Sequence, residues 1–420
     1  MATKRIAIIG SGISGLTCAY LLSQRYQITL LEEANYLGGH TNTEHIEREG
    51  KVFPVNTGFI VFNDWTYPNF IKLMDKLGVA SEASDMSFSV NCEQTGLEYN
   101  GTNLNKLFAQ RKNIFSPKFW RMIKDILRFN KETVQELEAG TLSQTETLTE
   151  YLQRNQYSEI FIEKFIVPMG AAIWSSGRSA MDQFPIYFFV RFFKNHGMLS
   201  VDDRPVWRVI SGGSATYVDA ITKGFADNII VNDGARKVLR AEDKVTVLTQ
   251  SGQSLDFDEV IFATHSDQAL ALLDKPTIEE KTVLGNIAYQ DNEVVLHTDE
   301  KLLPNARLAW ASWNYHIPKQ QQERVALTYN MNILQNFTTD KTTFCVTLNK
   351  TEDIDPDKII KTFNYAHPVF TPDAMVAQGK FDLVSGINRT HYCGAYWFNG
   401  FHEDGVKSAL RVCAALGEEL

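Results

Sequence analysis

Residues 10–15 read Gly-Ser-Gly-Ile-Ser-Gly, and Glu32 follows 22 residues after Gly10. Glycines at this spacing suit a pyrophosphate. Gly10 permits a tight turn, Gly12 lets the backbone approach the phosphates, and Gly15 lets a following helix pack close to the preceding strand. Ser11, Ile13 and Ser14 complete the loop, whose helix-opening N–H groups and partial positive charge face an anion. Glu32 stands where a carboxylate accepts hydrogen bonds from a ribose, and it disfavours a 2′-phosphate, which argues against NADP. The chemistry implied is dinucleotide binding.

The elements needed to hold those residues surround them. Residues 5–9 (RIAII) are a short apolar run that predicts a buried parallel strand. Leu16, Ala19, Tyr20 and Leu22 recur at helical spacing, and residues 27–31 (QITLL) predict a second strand that ends at Glu32. Strand, glycine loop, helix, strand and acid therefore stand in the order that gives the loop its meaning.

The stretch LLEEANYLGGHT, containing Glu32, Glu33 and Gly38-Gly39, resembles the second-strand motif of the flavoprotein superfamily of amine oxidases, phytoene desaturases and protoporphyrinogen oxidases. The resemblance implies FAD, with Glu32 on the adenosine ribose and Gly38-Gly39 passing the phosphates; His40, beside Thr41, stands where many members carry Arg. It extends to Val55-Asn56-Thr57-Gly58-Phe59, which implies that Gly58 and Phe59 lie beside the isoalloxazine, and to Ile210-Ser211-Gly212-Gly213 before a helix with Tyr217 and Val218. Val238 matches the position whose backbone meets the adenine, and residues 259–264 (EVIFAT) match the strand that returns to the cofactor domain. His391-Tyr392-Cys393-Gly394 resembles a further strand, and Glu403-Asp404-Gly405-Val406 resembles the start of a final helix. By the resemblance, Asp404, Gly405 and Val406 touch the flavin pyrimidine through the backbone, where the helix N-terminus stabilises reduced flavin.

The same comparison places His402 at or beside a ring position over the flavin, next to Phe401, with Tyr396 and Trp397 on the same loop as pocket residues. A histidine there is a candidate general base, having an ordinary pKa of about 6.5; packing or hydrogen bonding is the alternative. Cys393 precedes Gly394 and does not match the cysteine that some relatives bond to flavin, so FAD is expected without a covalent link. GFIVFN, SDMSFSV, WSS and CGAYWFNGFHEDG together resemble a bacterial subgroup of FAD-binding proteins associated with fatty-acyl modification.

The expected architecture is α/β with α+β character: a glutathione-reductase-like Rossmann FAD-binding domain of residues 1–60, 201–269 and 376–420, interleaved with a substrate-binding domain of residues 61–200 and 270–375. A chain of 420 residues suits two such domains. Five cysteines, an odd number with no metal-ligand spacing, predict reduced thiols and no metal. The net charge of −9 argues against a nucleic-acid partner. The opening MATKRIAIIG predicts no signal peptide, and no run reaches the roughly 20 apolar residues that span a bilayer, so a cytoplasmic protein is expected.

Within the second domain, Pro68 to Gly78 predicts a helix with Phe70, Leu73, Met74 and Leu77 on one face. Residues 105–131 carry eight Lys or Arg against one acid, Asp125, interleaved with Phe108, Phe115, Phe119, Trp120 and Phe129. Such a segment is either a core-facing helix with a solvated basic face or a surface that docks on anionic membrane. Residues 184–193 (FPIYFFVRFF) either line an apolar tunnel or fill core. Three activities follow: desaturation or oxidation of a lipid acyl chain, amine oxidation to imine and peroxide, and double-bond isomerisation.

Overall fold

A computed structural model describes residues 3–200, 202–320 and 324–420; the expected boundary residue Val201 lies outside them. A five-stranded sheet has the order Ile229–Ile230, Gln27–Leu31, Arg5–Ile9, Glu259–Phe262, Thr390–Tyr392, with every neighbouring pair parallel. Ile6, Ala7 and Ile8 are fully buried, as an apolar run covered on both faces requires. The helix Ile13–Leu22 is buried almost all round, and the final helix His402–Ala415 packs along it. Three distant stretches thus build one sheet, and an antiparallel meander of Ala235–Arg240, Val245–Thr249 and Ser254–Phe257 stands beside it.

A second body is a seven-stranded sheet in the order Ile359–Pro368, Tyr289–His297, Cys345–Leu348, Ala326–Asn330, Trp313–Ile317, Phe88–Cys92, Leu97–Asn100. All its pairs are antiparallel except Trp313–Ile317 with Phe88–Cys92. Helices Pro117–Glu138, Val167–Trp174 and Ile186–Asn195 share its core. Ser116 caps the first of these by accepting from the Phe119 N–H, with Pro117 in the opening turn, where its missing N–H costs no hydrogen bond.

The cores divide the chain differently from the expected boundaries. Phe70, Leu73 and Met74 of helix Pro68–Leu77 pack into the core of the parallel sheet, as do Leu273, Val283, Leu284, Ile287, Ala374 and Ala377. Helices Ser266–Leu272 and Ile278–Gly285 explain the shift at 270: they cover the meander, with Leu273 bridged to Val238. The aromatic run at 184–193 resolves mainly as core. Phe188, Phe189 and Phe193 are buried against Trp174 and Phe184, and Phe192 alone of the run reaches the cavity described below.

Candidate active site

The glycine loop and the Gly38-Gly39 turn lie against each other. Gly38 N donates to Ser11 O at 3.1 Å, and Gly12 and Gly38 form an isolated parallel bridge. A Cβ on Gly15 would stand 1.9 Å from Gly10 O, and one on Gly58 would stand 2.2 Å from His40 O, so both are close approaches of backbone to backbone. Gly12 differs: a Cβ there meets no protein atom within 4 Å, so it faces open space in the cavity. Glu32 accepts from Ser11 N at 2.8 Å, Ser11 Oγ at 2.6 Å and Ala34 N at 2.8 Å. These bonds fix the carboxylate while leaving acceptor sites, since a carboxylate offers about four.

Gly10, Ser11, Gly12, Ile13, Ser14, Glu32, Glu33, Gly38, Gly39, His40, Gly58, Phe59, Gly394, Tyr396, Phe401 and His402 all line one cavity of 1510 Å³. That exceeds the roughly 300–1,000 Å³ of a single small-ligand pocket and suits a dinucleotide with a substrate beside it. Several expected residues stand elsewhere. Gly15 is packed beneath the loop, as its spacing role demands. Thr41 is buried behind the wall, within hydrogen-bond distance of Tyr217 and His402. Val238 lies in the meander with its side chain in the core, and the nearby Gly234, Ala235 and Arg236 line the cavity.

Asp404, Gly405 and Val406 also lie behind the wall, one turn below it; Gly400, Phe401 and His402 are the residues that reach the cavity. The reason is helix–helix packing. A Cβ on Gly405 would lie 2.6 Å from Ile13 Cγ2, and Ser14 Oγ donates to Gly405 O at 2.9 Å. Trp397 faces the core, edge-on to Phe381 at 4.9 Å, and does not line the cavity. Gly394 leaves room for the Tyr396 ring, whose Cε1 would be 2.3 Å from a Cβ there.

The two acids of the final helix brace the site. Glu403 accepts from Asn69 N, Asn69 Nδ2 and Phe70 N, a carboxylate seated on the N-terminus of helix Pro68–Leu77. Asp404 accepts from Phe401 N at 3.0 Å, and burial pushes its carboxyl up to about 7. A folded pKa above the unfolded value of about 3.9 favours folding below that lower value, and the contribution is lost as pH rises through about 7. Asp404→Asn keeps the acceptor without the charge. Its advantage over the wild type in stability should grow by on the order of 3 kcal/mol between pH 5 and pH 8, as the wild-type carboxyl is forced to ionise in place. An equal difference at both pH values would show that Asp404 does not change its ionisation between them.

His402 stacks on Phe59 at 3.5 Å and 7°, with Nε2 2.9 Å from both Thr41 Oγ1 and Tyr217 OH. Burial holds it well below the ordinary histidine range, so the ring is neutral and a weak base. Three further imidazoles gather on the cavity wall: His40 lies 5.8 Å from His265 and 5.4 Å from His367. Burial, reinforced by neighbouring imidazoles, depresses His265 and His367 to about 3. His265 stacks on Tyr289 at 4.2 Å, Asn292 Nδ2 is 3.1 Å from His367 Nδ1, and His40 Nε2 is buried with no hydrogen-bond partner in the protein. Sequence reading missed His265 and His367. They come from a strand-end loop and from strand Ile359–Pro368 in the other body, and only the hydrophobic face of that strand hinted at its position.

The rest of the cavity reaches into the second body, past Met86, Phe88, Tyr99, Ile123, Phe165, Met169, Trp174, Phe192 and Phe401. No Asp, Glu, Lys or Arg lines it between residues 84 and 198; Arg204 and Asp291 are charged residues of the cavity wall outside that stretch and away from the glycine loop. Phe401 stacks on Phe192 at 5.1 Å, where the two bodies meet over the lobe.

The cradle fits FAD. Gly12 faces open space, Glu32 is oriented with acceptor capacity to spare, and His40 Nε2 is an unpartnered buried nitrogen on the same cavity wall. The cysteines Cys18, Cys92, Cys345, Cys393 and Cys413 are buried away from this wall, in keeping with a cofactor held without a covalent bond.

Comparison with known proteins agrees with the geometry. A family profile, "Flavin containing amine oxidoreductase", matches residues 13–338. An L-amino-acid oxidase of Bungarus fasciatus is 21% identical over 272 residues, 59% of this chain and 47% of that protein. A carotenoid phi-ring synthase of Chlorobaculum tepidum is 35% identical over 80 residues, 19% of this chain and 12% of that protein. The chain thus spans under half the length of these curated relatives. Among solved structures, a putrescine oxidase aligns with a TM-score of 0.69 at 15% identity, and a fatty acid isomerase from P. acnes with 0.67 at 15%, each covering 99% of both chains. With a family match across most of its length, the chain belongs to the flavin containing amine oxidoreductases.

Proposed function

We propose that the protein oxidises a lipid acyl chain, removing a hydride and a proton from adjacent carbons to leave a C=C bond. Bound FAD would supply the two-electron acceptor for that hydride, with O2 or a quinone taking the electrons onward. The observation that carries the reading is the apolar lobe. A fold shared with both a putrescine oxidase and a fatty acid isomerase accommodates either class of substrate, so the lining decides. An aliphatic amine is a cation at neutral pH, and along the stretch lined by residues 84–198 it would lose its water without meeting a carboxylate, the acids of the cavity being Glu32 and Glu33 at the cradle and Asp291 on strand Tyr289–His297. A hydrocarbon chain gains from the same walls, by about 0.8 kcal/mol for each buried CH₂. Phe192 and Phe401 supply flat contact where the lobe meets the cofactor cradle, and the neutral imidazoles of His40, His265 and His367 add hydrogen-bonding groups without charge.

Anaerobic mixing of the yellow holoprotein with unsaturated and saturated phospholipids in detergent, and separately with a panel of amines, tests this. Bleaching of the flavin by a lipid, with a new double bond in the recovered acyl chain, is expected. Bleaching by an amine and by no lipid would establish the amine-oxidase alternative. A moved double bond without lasting bleaching would establish the isomerase.

A further inference from the structure

Five of the fifteen exposed large apolar side chains among the described residues fall between residues 104 and 127: Leu104, Ile114, Phe115, Trp120 and Leu127, with Phe115 86% exposed. Local bonds gather them into one surface. Trp120 Nε1 donates to Ile114 O, the Trp120 ring lies on Phe108, and Arg111 donates to Asn105 O and Phe108 O. Helix Pro117–Glu138 presents Trp120, Lys124, Leu127 and Lys131 at successive turns of one face. The single acid of the segment, Asp125, is fully buried and paired with Arg121 and Arg128, so it offsets charge there and not at the lysines. Lys112, Lys118, Lys124 and Lys131 are exposed and make no ion pair among the described residues. The surface is therefore basic and apolar on a chain whose net charge is −9.

Leu104 and Leu127 belong to two descriptions at once. They are 72% and 54% exposed, and both line the cavity that holds the cofactor cradle. Leu107, at the end of the short helix Leu104–Leu107, and Ile123 and Ile126 of helix Pro117–Glu138 continue the wall inward. We propose that residues 104–131 seat the protein on an anionic lipid bilayer and that an acyl chain passes from the bilayer into the cavity between Leu104 and Leu127. Docking supplies what a water-filled mouth lacks: an apolar substrate reaches the apolar lobe without crossing water. Aromatic side chains enter the interface while lysines meet lipid phosphates, each basic residue contributing about 1 kcal/mol near such a surface. The passage of the chain rests on the lipid reading above; the docking does not.

Holoprotein is sedimented with vesicles of phosphatidylcholine alone and of phosphatidylcholine with phosphatidylglycerol, at low and high salt. Binding to the anionic vesicles, weakened by salt, is expected. Combined Lys112→Gln, Lys118→Gln and Lys124→Gln should lower it roughly 100-fold, and Phe115→Ser should lower it further. These variants should keep wild-type turnover on detergent-dispersed substrate and lose turnover on vesicle lipid. No binding to anionic vesicles at low salt overturns the docking. A concentration-dependent dimer abolished by Phe115→Ser, with no vesicle binding, assigns the face to self-association and overturns it equally. Vesicle binding with no lipid turnover in either form leaves the docking standing and overturns the acyl substrate.

Discussion

Gly12→Val should yield a folded, colourless protein, whereas Gly15→Ala should scarcely fold at all. The two glycines sit three residues apart in one loop and fail for different reasons. At Gly12 a side chain would meet no protein atom within 4 Å, so the fold has no objection to it. The space it enters is the cavity beside Gly39, where the phosphates of FAD must approach the backbone. Gly12→Val should therefore keep its melting temperature in the absence of cofactor and lose FAD affinity by at least about 100-fold, since displaced phosphate contacts are worth several kcal/mol. At Gly15 the added carbon would overlap Gly10 O at 1.9 Å, and a carbonyl held by the strand cannot yield. The helix must lift from the sheet, at a cost above about 4 kcal/mol. Flavin absorbance after gel filtration and thermal melts of apoprotein separate the outcomes. A yellow Gly12→Val protein would mean that the phosphates lie elsewhere.

Glu280→Ala should be among the most destabilising single changes outside the loop. Arg240 donates to both Glu280 oxygens, Tyr392 OH donates to Oε1 at 2.7 Å and Thr277 N donates to Oε2 at 2.8 Å. The side chains of Arg240 and Glu280 are only 9% and 3% exposed. Removing the carboxylate leaves a buried guanidinium, a phenol and a backbone N–H unpaired. Breaking a buried pair from one side costs about 3–5 kcal/mol. The network joins the meander, helix Ile278–Gly285 and strand Thr390–Tyr392, so its loss should also loosen FAD at both ends of the cradle. Denaturant melts of Glu280→Ala beside Arg240→Met/Glu280→Leu test the reasoning. The double variant should recover much of the loss, because it leaves no charge behind. Equal losses in both would place the effect in packing.

Much of the cofactor half was legible in the sequence, because its constraints are local. Phosphate approach demands glycine, a buried parallel strand demands an unbroken apolar run, and both leave short patterns that can be read at residues 5–39. Even Gly394 and Gly405, remote from that stretch, marked close contacts with Tyr396 and Ile13. Register was less legible. The backbone at residues 235 and 400 faces the cavity where residues 238 and 404 were expected, since a shift of a turn or a strand pair leaves the motif intact. The substrate half was nearly silent. Tyr289 and His367 lie on strands paired in the second body, His265 comes to them from the end of a strand of the parallel sheet, and no spacing along the chain encodes that meeting. The core that helices Ser266–Leu272 and Ile278–Gly285 cover is silent for the same reason: their sequences look alike whichever sheet they pack against.

The bond from Ser14 Oγ to Gly405 O spans 391 positions of the chain. During synthesis the glycine loop leaves the ribosome early, but the helix that packs on it, and the fifth strand at 390–392, come last. At about 5–20 residues per second the wait is roughly 20–80 s. Until then strand Glu259–Phe262 lacks its partner at the Thr390 edge, and the apolar helix Ile13–Leu22 has an uncovered side. The nascent chain therefore depends on being shielded until helix His402–Ala415 arrives, because the cofactor cradle is not braced before then.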